Sequence, residues 1–391
     1  MKVLDLTHHI AGPYCTKLLA DYGADVVKIE KPGEGDSARR MGPFPGDVPH
    51  REKSGLFLHL NTNKRSVTLD LKTRTAQTVV KELAKSVDVV VESFQPGVMA
   101  SFGLDYTILK GINPALVVVS ISNFGQSGPY RGYKASDLVL SAMGGPMGGL
   151  PGREPLKYAA TVTQFMVGLL AASGVLSAFY LAKWEGLGQY LDLSMMDLLI
   201  SNVDRGPAIV GHQFMGGTQR TATGSSRNAF PPAGLYPCKD GYMHWFPVPN
   251  WPRAARMLGR NDLLTDPRFA TPEARLDNFQ EVDRIISEWM LERTKKECWE
   301  AGVAADLICG PCYTVEDLWK DAHMAQRGFW TQVEHAAVGR TSVPGAPFIL
   351  TRAPRGQPRP APLLGQDNRE VLGALGFSGE DLVRMKGAGV I

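Results

Sequence analysis

The chain has 391 residues, 44% hydrophobic and 21% charged, and its 42 basic and 39 acidic side chains leave a net charge of +3. That length holds two or three domains with a sizeable core, and a balanced charge without runs or a basic stripe argues against a nucleic-acid surface. The opening MKVLDLTHHIAG has an acid at position 5 and no apolar leader, so a cytoplasmic protein is expected rather than a secreted one.

The first third alternates short apolar runs with helical patterns. In order these are KVLDLT, a helix from PYCTKLLADYG, ADVVKIE, SVTLDL, a helix over 74–86, VDVVVES, a helix over 105–110, and ALVVVSISNFG. Val- and Ile-rich runs separated by helices predict an α/β fold with a doubly wound parallel sheet covered on both faces. Ligands of such sheets lie beyond the carboxyl ends of the strands. Those ends are HHIAGPY, KPGEGDSARR, ESFQPG and SNFGQSGPYRGYK. Lys31, Arg39, Arg40, Lys64, Lys72, Arg131 and Lys134 fall near them, which suits either an anionic ligand or a solvated rim. Neither GxGxxG nor GxxxxGK[ST] occurs, so dinucleotide and P-loop fingerprints are both missing.

A Gly/Pro-rich loop over 145–155 leads into PLKYAATVTQFMVGLLAASGVLSAFYLA. Its apolar part, 165–182, is long enough to raise a membrane span, but Gly168, Ser173, Gly174 and Ser177 interrupt it, and a buried core helix is expected. Gln164 stands at the head of that helix. A buried amide without partners costs about 1–3 kcal/mol, so this one is either a satisfied structural amide or part of a site.

Next, EGLGQYLDLSMMDLLISNV predicts a turn, a strand and a helix, and GLYPCKDGYMHWFPV a hairpin around Lys239-Asp240-Gly241. The expected organisation is a large Rossmann-like domain over 1–212 completed by 340–391, with a linker over 213–229. A small α+β domain follows over 230–325, then a return linker and C-terminal helix over 326–391. Cys15, Cys238, Cys298, Cys309 and Cys312 are too few and odd in number for a disulfide framework. Cys309-Gly-Pro-Cys312 spells a thioredoxin-type motif between a possible strand, VAADLI, and a helix-like YTVEDLWKDA. A helix amino terminus there would lower a thiol pKa, but a plain strand-to-helix turn on Gly310-Pro311 is the preferred reading. No His, Cys or acidic group has metal-ligand spacing, so no metal is expected.

Taken in order, VLDLTHHIAGPYCTKLLADYGADVVKIEKPGEGDSARR, NKRSVTLDLKT, DVVVESFQPG, SISNFGQSGPYRGY, EGLGQYLDLSMMD, DPRFATPEAR, AHMAQRGFW and RPAPLLGQDNREVLGALG resemble the family III CoA-transferases. This is the CaiB/BaiF-like group that includes formyl-CoA transferase and α-methylacyl-CoA racemase. The resemblance runs end to end. It implies a ring-like chain whose two ends build the large domain, and two such chains interlocked as a dimer. It also implies a coenzyme A or acyl-CoA substrate held by Ile10 and Ala11, Lys31, the Leu69-Asp70-Leu71-Lys72 segment, Ser93-Phe94-Gln95, and Lys134 on a phosphate. Many relatives carry an Arg where this chain has Ser101.

The family nucleophile is an Asp four residues before the first Gly of Gly-Leu-x-Ala-Ala-x-Gly. Here that Gly is Gly168, and the residue is Gln164. An amide cannot form the acyl anhydride that a carboxylate forms. The racemase acid/base pair fares no better, since its positions hold Gln164 and Ser136. Asp137, Asp192 and Asp197 stand where relatives also carry acids, which favours structural roles, and His8 and His9 read first as rim histidines. Apolar residues near the site, Met143, Met147, Phe165 and Met166, hint at a hydrophobic acyl group or simply at core.

The expectation is therefore the nucleophile-lacking subunit of a heteromeric CoA-transferase, acting on an acyl-CoA and a carboxylic acid beside an Asp-bearing paralogous chain. The alternatives are a homodimeric acyl-CoA enzyme using groups such as His8, His9 or Tyr158, and a non-catalytic acyl-CoA-binding protein. Neither nucleic acid nor membrane is an expected partner.

Overall fold

The computed structural model describes residues 1–149, 155, 157, 160–201, 213–214, 232–247, 250–345, 347–352 and 358–391. Apart from 213 and 214, the anticipated linker over 213–229 lies outside the described residues, and so does Tyr158. The chain divides into two compact units, the first from 1–147, 157–211 and 326–391, the second from 148–156 and 212–325.

The first unit runs β1 (Lys2–Leu6), α1 (Ala11–Asp21), β2 (Asp25–Glu30), α2 (Gly55–Leu60), β3 (Lys64–Thr68), α3 (Arg74–Ala84) and β4 (Val89–Glu92). It continues with α4 (Val98–Ser101), α5 (Tyr106–Ile112), β5 (Val117–Ser122), α6 (Asp137–Met143), α7 (Val162–Glu185), β6 (Tyr190–Ser194) and α8 (Met195–Ser201). The strands form one sheet, ordered β3-β2-β1-β4-β5-β6, with every pair parallel. This is the doubly wound order that the alternation predicts, and its direction reverses between β1 and β4.

The unbroken apolar strands follow from burial on both faces. Val89 and Val91 of β4 pack with Ala11, Cys15 and Val167 on one side, while Val90 packs with Val79, Val80 and Leu83 of α3 on the other. Side-chain oxygens start the crossover helices, Thr73 accepting from the Ala76 N–H and Asp105 from the Thr107 N–H. The carboxyl end of the chain closes the β3 edge. Asp367 accepts the Ser66 N–H at 2.7 Å and Asn368 the Thr68 N–H at 2.8 Å, so side chains about 300 residues away satisfy the strand edge.

Helix α7, expected as a buried core helix, is buried in the core on one face and exposed on the other. Gln164, Val167, Gly168, Ala171, Val175, Ala178 and Ala182 form a buried stripe at three- and four-residue spacing. On the other face Leu169, Leu176, Tyr180 and Trp184 are half or more exposed. Length and hydropathy alone would let α7 cross a bilayer, but its small residues are packed against α1 and the sheet. Gly186, at φ 67°, ends the helix in the left-handed conformation.

The second unit contains an antiparallel sheet of β7 (Gly234–Cys238), β8 (Gly241–Phe246) and β9 (Ile308–Pro311). The β7–β8 hairpin turns at Lys239-Asp240, as predicted. Helices Phe279–Leu291 and Lys295–Ala304 share a core with its Tyr236, Met243 and Trp245. A further hairpin, β10 (Trp330–His335) with β11 (Gly339–Pro344), belongs to the first unit.

The Cys-Gly-Pro-Cys segment is neither of the structures expected for it. VAADLI spans a helix end, a loop and, at Ile308, the first residue of β9, and Cys309, Gly310 and Pro311 lie inside that strand. The next helix, Val315–Lys320, starts later, capped by Thr314. An extended strand sets residues three apart on the order of 10 Å apart, too far for the ordinary disulfide reach of about 7 Å. Burial also pushes the Cys309 thiol pKa up, the reverse of a redox-active thiol.

Candidate functional site

The carboxyl ends of β1, β2, β3 and β4 surround a cleft of about 310 Å³. Lys31, Arg40 and Lys72 supply its positive charge, and Leu71, Phe94 and Phe102 its apolar wall. Leu69, Asp70 and His8 also line it. Beside it, at the ends of β4 and β5, a smaller cleft of about 110 Å³ is lined by Ser93, Phe94, Gln95, Asn123, Arg131 and Met195, among others. The sequence-derived residues Lys31, Leu69, Asp70, Leu71, Lys72, Ser93, Phe94 and Gln95 thus converge on two adjoining clefts. Ile10 and Ala11 do not line either one, being buried at the start of α1, and Lys134 is exposed outside both.

Two of the anticipated rim cations are not on a rim. Arg39 is fully buried, with its Nε and Nη2 on the Glu30 carboxylate at 2.7 and 2.8 Å, Nη1 on Glu52 at 2.6 Å, and the Phe57 ring below. Lys64 is equally buried, donating to Asp5 at 3.0 Å, to the Pro13 carbonyl and to Asn61. Asp5 also accepts from Thr16 at 2.7 Å and from the Thr7 N–H at 2.9 Å.

Lys28 links this group to Asp36, donating to the Thr7 carbonyl at 2.7 Å and pairing with Asp36 at 2.8 Å. Asp36 in turn accepts the His9 and Ala38 N–H groups, both at 2.8 Å, and holds His9 at φ 75°. The network therefore fixes the two turns that form the cleft floor. Burial alone raises the Asp5 pKa, but Lys28, Lys64 and the threonine hydroxyls more than reverse it, leaving the carboxylate well below its usual range. For Lys64 burial wins over Asp5 and pushes the amine down to about 8.

Gln164 lies in the first turn of α7 and is 6% exposed. Among the described residues its amide has one hydrogen-bond partner, the Met195 sulfur at 3.8 Å, which is a weak acceptor. The sulfur side of the contact belongs to the smaller cleft's lining. Next to it, Thr163 donates to Asp137, which is paired with Lys157 at 2.8 Å, while Phe165 packs edge-on to Tyr14. The acids Asp192 and Asp197 are exposed on β6 and α8, and Asp192 accepts the Gln126 N–H at 3.0 Å.

One turn on, Gly168 sits against α1. A Cβ there would lie 2.6 Å from the Ala11 carbonyl oxygen and 3.0 Å from Tyr14 Cβ, so the two helices touch only because the residue has no side chain. Gly168→Ala is expected to cost about 1–3 kcal/mol through overpacking. Urea unfolding measures it, and an unchanged midpoint would show that the helices part freely.

Glu92 lines neither cleft but bonds the backbone of Phe94, which lines both, and the sequence conceals it because it ends an otherwise apolar strand, VVVE, and reads as a strand terminus. It is 3% exposed, and its carboxylate accepts the Phe94 N–H at 2.7 Å. Burial pushes its pKa up to about 7, and Asp192 adds to the rise against the opposing hydrogen bonds from Ser120 and Phe94.

Residues 1–368 match the family model described as CoA-transferase family III. The chain is 33% identical over 405 residues to a succinyl-CoA–D-citramalate CoA-transferase of Chloroflexus aurantiacus, covering 100% of this chain and 97% of that protein. It is 32% identical to a formyl-CoA:oxalate CoA-transferase of a Bradyrhizobium strain, covering 100% of this chain and 96% of that one. Among solved structures, a CaiB/BaiF family protein from Brucella suis superposes with a TM-score of 0.86 at 29% identity, covering 96% and 98% of the two chains.

Proposed function

The chain belongs to CoA-transferase family III, and from that premise we propose that it binds a coenzyme A thioester in the cleft at the ends of β1 to β4. It then serves as the nucleophile-lacking subunit of a heteromeric CoA-transferase that moves CoA between an acyl-CoA and a carboxylic acid. The observation that carries this reading is Gln164: a buried amide at the head of α7 whose partner among the described residues is a thioether sulfur. A carboxylate nucleophile must attack the thioester carbon, expel the thiolate to form an acyl anhydride, and leave again as a carboxylate. An amide performs none of these steps, so the reacting carboxylate comes from a second, Asp-bearing chain.

The cleft suits the anionic end of CoA. Lys31, Arg40 and Lys72 offer charge to phosphates, and Leu71, Phe94 and Phe102 offer apolar surface to an adenine. The proposed partner chain, or a second copy of this one, would cover the apolar outer face of α7, where Leu176 is 50%, Tyr180 67% and Trp184 71% exposed. An interlocked dimer of the family's kind would do so.

Native mass measurement of the protein from its source, with sequencing of any companion, tests the subunit reading. A heterodimer with an Asp-bearing homologue is expected, and a homodimer that exchanges CoA unaided overturns it. Titration calorimetry with CoA tests the cleft. Arg40→Ala and Lys72→Ala are each expected to weaken binding roughly fivefold or more, ~1 kcal/mol. Affinity unchanged in both variants moves CoA elsewhere.

A further inference from the structure

The two clefts share one wall, and a single buried acid holds it. Phe94 lines both clefts, stands 5.7 Å from His8 and packs edge-on to Phe102 at 6.0 Å. Its backbone is tied to Glu92 by the 2.7 Å hydrogen bond, and the neighbouring Ser93 hydroxyl accepts the His8 N–H at 3.1 Å. Glu92 is in register with Leu6 of β1 and Ser120 of β5, and Ser120 with Asp192 of β6. The Ser120 hydroxyl bonds Glu92 and accepts the Tyr190 hydroxyl at 3.0 Å, so a polar chain runs under the wall from β4 to β6.

We propose that Glu92 is a positioning residue that, through the Phe94 N–H, sets the wall between the two clefts and couples ligand binding there to the uptake of a proton. The proposal rests on the reading of the larger cleft as a CoA site. Around Glu92, β1 presents the apolar Leu6, β5 the neutral Ser120, and β6 the ionisable Asp192 and Tyr190; among the described residues these last two are the titratable groups that act on it. Each is acidic, so neither stabilises a buried Glu92 anion.

With its pKa near 7, both forms of Glu92 are populated at neutral pH. The neutral acid still accepts from Phe94 and can donate to Ser120, satisfying the wall without a buried charge. An anionic ligand such as CoA, bound in the clefts that Phe94 lines, adds like charge beside the wall that Glu92 holds and favours that neutral form. Binding therefore takes up part of a proton, and affinity falls as pH rises.

Calorimetry with CoA from pH 6.0 to 8.5, in buffers of different ionisation heat, reads the effect. Wild-type affinity is expected to fall about three- to tenfold more steeply over this range than that of Glu92→Gln, which mimics the neutral acid. Titration of CoA itself is common to both proteins and cancels. Glu92→Ala, which frees the Phe94 N–H, should bind more weakly at every pH. Identical pH profiles for wild type and Glu92→Gln overturn the proposal.

If neither protein binds CoA at any pH, the cleft reading fails, and Glu92 is then judged by melting temperature against pH and by hydrogen exchange at the Phe94 amide. A raised acid pKa costs the fold stability as pH climbs from the unfolded value toward 7. The Gln variant should therefore melt higher than wild type at pH 8 and equally at pH 4.5, and in Glu92→Ala the freed Phe94 amide should exchange faster than in either. Superimposable curves and equal protection overturn the positioning role without reference to any ligand.

Discussion

Gln164→Asp in the isolated chain is expected to create exchange of CoA between succinyl-CoA and a free carboxylic acid, with a gain on the order of 10²-fold or more over the wild-type chain. That gain is a small part of the roughly 10⁶-fold that a covalent nucleophile contributes when the rest of a site is in place. The physical ground is local. The side chain is already buried in the first turn of α7, where the helix dipole favours an anion. Its contact is a polarizable sulfur at 3.8 Å rather than a bond network that a carboxylate would break. The steps balance: the introduced carboxylate bonds the thioester carbon as the carbon–sulfur bond breaks and CoA leaves as thiolate. The thiolate attacks the enzyme carbonyl of the anhydride and frees the first acid. The incoming acid displaces the thiolate from that enzyme thioester, and the thiolate attacks the new acyl carbon, giving the new CoA thioester and restoring the enzyme carboxylate.

Exchange of labelled succinate into succinyl-CoA measures the gain, and trapping with hydroxylamine locates the acylated residue by mass. Gln164→Glu keeps the native length and should gain less, because its carboxylate sits one methylene further out. A folded Gln164→Asp protein that binds CoA and exchanges no faster than wild type would remove position 164 from the reaction and, with it, the argument for a missing nucleophile.

The second large effect concerns stability. Asp5→Asn is expected to destabilise the protein by about 3–5 kcal/mol, because it leaves the buried Lys64 and Lys28 ammonium groups without the anion between them. That is a large share of the 5–15 kcal/mol of a typical domain. Asp5 has a depressed folded pKa, so its contribution is present above the unfolded carboxylate value and is lost as pH falls through the folded one. At pH 7 the full effect is therefore measured. Urea unfolding gives it, with Lys85→Ala as the control, since the exposed Lys85–Glu82 pair should be worth ~0.5 kcal/mol. A loss for Asp5→Asn no larger than the control's would mean that water or a rearranged partner already screens the buried lysines.

Loss of Asp5 also bears on the cleft. Lys28 bridges Asp5 and Asp36, and Asp36 fixes the His9 and Ala38 backbone. Weaker CoA binding in Asp5→Asn at a temperature where it stays folded would show that the network positions the turns as well as stabilising them.

What the amino-acid order alone determined is whatever depends on local periodicity and on residue type. Runs such as VDVVVES and ALVVVSIS can be buried only as sheet strands, the helices between them make the sheet parallel, and a two-residue turn at Lys239-Asp240 makes a hairpin. The strand-end segments that line the clefts follow from that topology, and Gln164 is conspicuous because an amide is neither apolar nor nucleophilic.

Tertiary structure decided everything that depends on partners distant in the chain. Arg39 and Arg40 are neighbours, yet Arg39 is locked on Glu30 and Glu52 while Arg40 faces the cleft. Lys64 meets Asp5 across 59 residues, and no local pattern announces it. Cys309 and Cys312 spell a redox motif, but strand pairing with Trp245 draws their segment out straight. The α7 helix is apolar all round, and only its packing on α1 separates the buried small stripe from the exposed aromatic one. Hydrophobic pattern is a property of neighbours along the chain, whereas the burial of a charge, and hence its pKa and its role, is set by which elements come to lie beside it.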